Sequence, residues 1–326
     1  MKLPKNQLFR SYLLIFITYL IWGAAGPVIK LTLDYIPVFS FLLIRFIIVC
    51  GLLLPYLFIQ LKKHHIHPED LLKITILGVF SQSSLALIFF GFKYTSALEA
   101  TVIGVLGPIL AVYAGHHFYN EKVSTKVKVG LLVASVGTLF VAIEPILNFD
   151  GSGIPASQRL LGNFFVILYT LAFLLYMLWS KMVLGQNKKP MLKTLKLLHI
   201  KPMRKVYSST LITTLTFYVG LLTFIPFAIL ENFGVFGDQV FLLSNLTTVP
   251  ILGILFMALI SSLIAYTFFE KGLEKVDVKD TAIFSYLQPL LTAPFAYLLL
   301  SEVPTTPILI GGAIIAIGVG IAELRK

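Results

Sequence analysis

The sequence predicts an all-α membrane protein of ten transmembrane helices, arranged as two inverted five-helix repeats. Three observations lead there. Hydrophobic residues make up 57% of the 326 residues and charged ones only 13%, with a mean hydropathy of +0.90. A soluble domain carries about 25% charged residues, so a chain this apolar needs lipid as its solvent. The apolar residues fall into runs of about 20, the length that crosses a bilayer as a helix. The chain also repeats itself at one constant offset: Gly91 matches Gly272, Pro108 matches Pro289, Glu121 matches Glu302, Gly130 matches Gly311 and Gly137 matches Gly318. Glu99 falls opposite Asp280.

Span one, 11–33, follows Lys2, Lys5 and Arg10. It has the charge of a signal peptide but is too long and lacks a small-residue cleavage site, so it is expected to stay as a helix. Span two, 38–60, holds Arg45 and the lone cysteine, Cys50, which rules out a disulfide framework. Span three, 71–92, has Gln82, Ser83 and Ser84 at mid-length. Span four, 97–118, opens on Glu99, where the helix dipole favours an acid, and contains Gly104 and Pro108. Span five, 127–145, completes a first repeat over 1–147.

The second repeat, 160–326, begins with span six, 161–184, where Asn163, Tyr169 and Tyr176 recur at roughly helical spacing. A basic segment, 185–207, precedes span seven, 208–230. Span eight, 248–270, carries Ser261, Ser262 and Tyr266; span nine, 280–300, carries Ser285, Tyr286, Gln288 and Pro289. Only Ser301-Glu302-Val303-Pro304 separates it from span ten, 305–322.

The net charge of +11 raises the possibility of nucleic acid, but its distribution argues for topology instead. With both termini in the cytoplasm, all but Lys30, Arg45, Lys93 and Arg159 of the 26 Lys and Arg residues fall on the inner side. Such a bias sets orientation. The 185–207 segment is expected to be a solvated inner loop, with a patch for anionic lipid headgroups as the functional alternative. Its Leu192, Leu195, Leu197, Leu198 and Met203 permit a short interfacial helix.

Five spans per repeat is odd, so equivalent helices cross the bilayer in opposite directions. Pro108 and Pro289 each lie about 16 Å into their spans, near the midplane. Each removes a backbone donor and frees a carbonyl. Matched interruptions in inverted halves point to a binding site, against the plainer reading of two packing bends.

These residues carry a resemblance. Tyr94-Thr95-Ser96-Ala97-Leu98-Glu99-Ala100, then Leu106-Gly107-Pro108, Glu121, Gly130 and Gly137, resemble the EamA-type domain of the drug/metabolite transporter superfamily. Asp277 to Gly320, with Leu287-Gln288-Pro289, Ser301-Glu302, Gly311 and Gly318, resembles a second copy. Ile21-Trp22-Gly23 and Ile44-Arg45-Phe46 are also similar to that family. Asn120 and Ser301 depart from it, standing where the family usually has glycine, and the 185–207 loop is long for it. The resemblance implies ten helices around a central cavity, and movement of small organic solutes such as amino acids or related metabolites. Export is the expected direction.

Arg45 is the only formal charge expected well inside a span. It is either an anchor for a substrate carboxylate or a structural residue that bonds loop carbonyls or snorkels outward. Because the family carries Arg here across varied substrates, the structural role is favoured. Glu99, Glu121, Glu144, Glu270, Asp280 and Glu302 all fall near span ends, leaving no mid-membrane acid for a proton relay. Glu121 and Glu302 are expected to serve as matched caps or gate ties. Uncharged groups are expected to line the substrate site: Trp22, Gln82, Ser83, Gly104, Pro108, Tyr169, Tyr176, Ser262, Tyr266, Ser285, Tyr286, Gln288 and Pro289.

His64-His65-Ile66-His67 with Glu69 and Asp70 lacks the spacing of a closed metal site, and no phosphate loop or nucleophile motif is present, so no cofactor is expected. The expectation is therefore a secondary transporter in the cell membrane, monomer or homodimer, with membrane lipid and a small-molecule substrate as partners and no nucleic acid. The rival readings are an integral-membrane enzyme acting on lipid and a nucleotide-sugar or sugar-phosphate carrier.

Overall fold

The computed structural model describes residues 5–63, 66–147, 154–186, 188–236, 240–276, 281, 284–285 and 287–323. Tyr286 and Asp280 lie outside the described residues. Among those described, regular structure is helical and no strand occurs. A chain in lipid has no water for its peptide groups, so each apolar run closes its hydrogen bonds within itself.

The first repeat comprises α1 (Lys5–Leu33), α2 (Val38–Lys63), α3 (Pro68–Tyr94), α4 (Ala97–Gly104), α5 (Leu106–Tyr119) and α6 (Thr125–Leu147). The second comprises α7 (Ala156–Val183), α8 (Lys189–Leu197), α9 (Ser209–Asn232), α10 (Thr248–Leu255), a π-helical stretch Phe256–Ile264, α11 (Ala265–Leu273), α12 (Gln288–Leu300) and α13 (Thr306–Glu323). Eight stretches, counting α4–α5 and α10–α11 as one each, are long and apolar enough to span a membrane. Two shorter apolar helices, Gln288–Leu300 and Thr306–Gly318, follow. The ninth span, expected over 280–300, is thus a continuous described helix only from Gln288.

Proline position decides which helices break. Pro27, Pro55 and Pro226 lie inside continuous helices, where neighbours tolerate a missing donor. Pro108 and Pro289 each stand within the first three residues of a new helix. The α4–α5 break at Val105 follows Gly104, the residue whose carbonyl the Pro108 ring displaces.

Asn120 and Ser301 close α5 and α12 in the left-handed conformation, at φ 55° and 54°. The next amide reaches back in each case: Glu121 N to Gly115 O and Glu302 N to Ala296 O, both 3.2 Å. This is the C-terminal cap that glycine suits best.

The most extensive helix pairs are α6 with α13, α3 with α7, α2 with α9 and α1 with both α11 and α12. The repeated glycines stand at these crossings. A methyl group at Gly137 would lie 2.8 Å from the Gly311 carbonyl oxygen, and one at Gly311 would lie 3.1 Å from that of Gly137. Small residues bring the two backbones together there. Gly91 on α3 meets Val166 of α7, and its repeat mate Gly272 on α11 meets Ile15 of α1.

The basic 185–207 segment contains α8, whose Met191 and Leu195 are buried and which packs against α5. Lys193, Lys196 and Leu197 remain exposed. The segment is tied down at Asp70, which accepts from Arg204 N at 2.9 Å, Tyr207 Oη at 3.2 Å and Lys73 Nζ at 3.1 Å. Burial, together with the charge of Asp70, pushes the Tyr207 phenol above its ordinary range.

Candidate functional site

Two adjoining spaces lie between the repeats. Trp22, Ile88, Tyr169, Phe173 and Gln288 border both. The larger is closed by Gly104, Gly107 and Pro108 at the α4–α5 break and by Tyr19 and Ser285, whose Ser285 Oγ donates to Tyr19 Oη at 3.1 Å. The smaller adds Arg45, Ser261 and Tyr266.

Trp22 organises the walls. Its ring meets Phe173 at 5.9 Å and Tyr266 at 5.2 Å, both edge to face, and its indole N–H donates to Ser261 O at 3.3 Å. Tyr169 and Phe173 present the same side of α7 because they are one turn apart.

Of the residues expected from sequence, Trp22, Gly104, Pro108, Tyr169, Tyr266, Ser285 and Gln288 line these spaces. The others do not. Gln82 turns to α9, donating to Thr216 O at 3.2 Å and packing on Gly220. Ser83, the next residue, is rotated about 100° round α3 and is exposed on its outer face. Tyr176 is buried one turn below and donates to Glu270, which also accepts from Ser180 Oγ at 2.6 Å. Ser262 acts behind the wall, and Pro289 stands beside Gln288 without bordering the space. Tyr19, Thr101, Thr170 and Phe173 line it without having been expected. Tyr19 and Phe173 carried a signal, three residues before Trp22 and four after Tyr169 on one helical face.

Arg45 is fully buried and does not snorkel. Its Nε donates to Ser262 Oγ at 2.5 Å, and among the described residues its two terminal nitrogens have no hydrogen-bond partner. The π-helical stretch sets up this contact: Ser262 Oγ donates back to Met257 O at 2.7 Å, five residues earlier. Such stretches shift side-chain register within a helix. Arg45 is the one formal charge among the described residues that line the two spaces.

Several charges near span ends are tied down, and Arg159, Glu99 and Glu231 are buried. Arg159 grips Glu99 through Nε at 3.1 Å and Nη2 at 2.9 Å, while Asn163 Nδ2 donates to the other Glu99 oxygen at 2.6 Å. Asn163 is thus spent on this pair and does not face the cavity. Glu231 accepts from Phe39 N and Ser40 N at the start of α2. Glu302 does the same for α4, accepting from Ala97 N at 3.1 Å and Leu98 N at 3.2 Å, with Lys30 Nζ 3.4 Å away. Glu302 therefore joins the second repeat to the first at the end of the molecule that holds Lys30. Glu121, its repeat mate, lies 3.7 Å from Lys181 at the opposite end.

The profile of the EamA-like transporter family matches residues 9–143 and 160–323. The chain is 24% identical over 319 residues to an uncharacterized transporter of Archaeoglobus fulgidus, covering 97% of this chain and 98% of that one. It is 26% identical over 308 residues to the uncharacterized transporter YetK of Bacillus subtilis, covering 93% and 84%. A solved crystal structure superposes with a TM-score of 0.62 at 17% identity, over 96% of this chain and 98% of that chain, a likeness of fold.

Proposed function

The chain belongs to the EamA-like transporter family, so it is a transporter and not an enzyme, and on that premise we propose that it exports small organic metabolites across the cell membrane by alternating access. The observation that carries this reading is a cavity walled by both repeats at mid-chain of α1, α7 and the α4–α5 break. The helix pairs support two inverted halves. Exchanging the repeats turns α3–α7 into the α11–α1 pair and the contact of α7 with α4 and α5 into the α1–α12 pair. The pairs α2–α9 and α6–α13 map onto themselves. A two-fold exchange of the halves produces this pattern, and an axis in the membrane plane is the form the odd span count per half requires.

Glu302 and Glu121 then act as ties at opposite ends. In proteoliposomes, with a probe cysteine in place of Thr101 in the cavity wall, Glu302→Gln is expected to raise labelling from the side holding Lys30. Glu121→Gln is expected to lower it. Equal labelling in both variants, with no solute exchange by the parent, would remove the alternating-access reading.

A further inference from the structure

We propose that the cavity selects organic monocarboxylates with an apolar, ring-bearing body, and that the terminal nitrogens of Arg45 hold the carboxylate. The inference deepens the transport reading and rests on it. A guanidinium presents five N–H donors in a planar fork that matches a carboxylate. In Arg45 one nitrogen is spent on Ser262 and the other two are buried and unpartnered at the border of the smaller space. Buried donors of this kind are rare in folded proteins, and charged ones rarer. An arginine kept only for structure takes partners from nearby carbonyls or carboxylates; the guanidinium of this one lies 5.6 Å from the Phe46 ring centroid and borders the smaller space.

The surroundings specify the rest of the ligand. Trp22, Tyr169, Phe173 and Tyr266 give flat apolar faces beside Arg45 and suit a ring. No described residue lining either space carries a negative charge. An ammonium group would thus enter with no counter-charge, and a zwitterionic amino acid would leave one end unpaired in an apolar site. Ser262 is a positioning residue: by accepting from Nε it fixes the guanidinium plane at the border of the space and leaves the terminal nitrogens for the ligand.

The test uses the full-length purified protein and three isosteric probes: 3-phenylpropionate, 3-phenylpropanamide and 3-phenylpropylamine. Binding is read by calorimetry at fixed ionic strength without chloride. The acid is expected to bind at least roughly tenfold tighter than the amide, with the amine weaker still, because only the acid supplies a charge-assisted bidentate partner. Arg45→Lys keeps the charge but loses the fork, and is expected to erase most of that preference. Ser262→Ala is expected to weaken the acid without changing the amide.

Equal affinity for acid and amide in the unaltered protein overturns the proposal, even where the Arg45 variant does not fold. So does the absence of binding by all three, or a response to chloride alone. Efflux of the same probes from proteoliposomes separates the two claims. Binding of the acid without efflux leaves Arg45 its role and removes transport, whereas efflux of the amine or amide in preference to the acid keeps transport and removes this role.

Discussion

Asn120 and Ser301 adopt a backbone conformation at matched positions that neither side chain favours. An L-residue there costs about 1 kcal/mol relative to glycine, and asparagine less than serine. Ser301→Gly is therefore expected to raise the melting temperature in detergent by a few degrees, and Asn120→Gly by less; a fall in both would show that the side chains themselves hold the cap. At this scale the sequence was legible wherever chemistry and spacing coincided. Trp22, Gly104, Pro108 and Gln288 could be placed at the cavity because they flank the helix breaks or share a polar-aromatic set. Gln82 and Ser83 could not, because adjacent residues on a helix point about 100° apart and nothing in one sequence gives the absolute rotation. The partners of Glu99 and Glu302 were hidden for another reason. Each lies on a different helix far along the chain, so that an acid at a span end was visible but its partner was not.

Helix positions were legible to within a few residues, as the starts of α2, α4 and α10 show, because lipid forces each apolar run to satisfy its own backbone. The break before α5 could be anticipated from Pro108 and its flanking glycines. The π-helical stretch at Phe256–Ile264 could not, since one widened turn leaves no periodic trace in nine residues. The repeated glycines Gly137 and Gly311 were visible as a pattern, and their role as a backbone contact emerged only from the α6–α13 crossing. The two helix breaks yield an element-scale test. Pro108→Ala and Pro289→Ala each restore a donor where neighbouring helices already satisfy most freed groups. Both variants are expected to purify as monodisperse protein yet transport more slowly than the parent, as initial uptake beside size-exclusion profiles would show. Parental rates in both would reduce the breaks to packing bends and move the site elsewhere.

For the whole molecule, the polar ties sort into two ends. Lys30, Glu302, Glu99 and Arg159 gather at one; Asp70, Glu121, Lys181 and the 185–207 segment gather at the other. On the positive-inside rule, we propose that the second end is the cytoplasmic one. Cys50 is buried, so single engineered cysteines report cleanly. A cysteine replacing the exposed Ser244 is expected to react with an impermeant maleimide outside intact cells, and one replacing Lys196 only after lysis; the reverse pattern would invert the topology. Arg45, lone and uncompensated in the cavity wall, has an electrical consequence. A carboxylate that crosses while the arginine stays in place moves one negative charge through the membrane field. That field is worth about 2.3 kcal/mol per charge for each 100 mV. A membrane negative inside therefore drives such a solute outward by itself, and an exporter built this way can run on the resting voltage with no coupling ion.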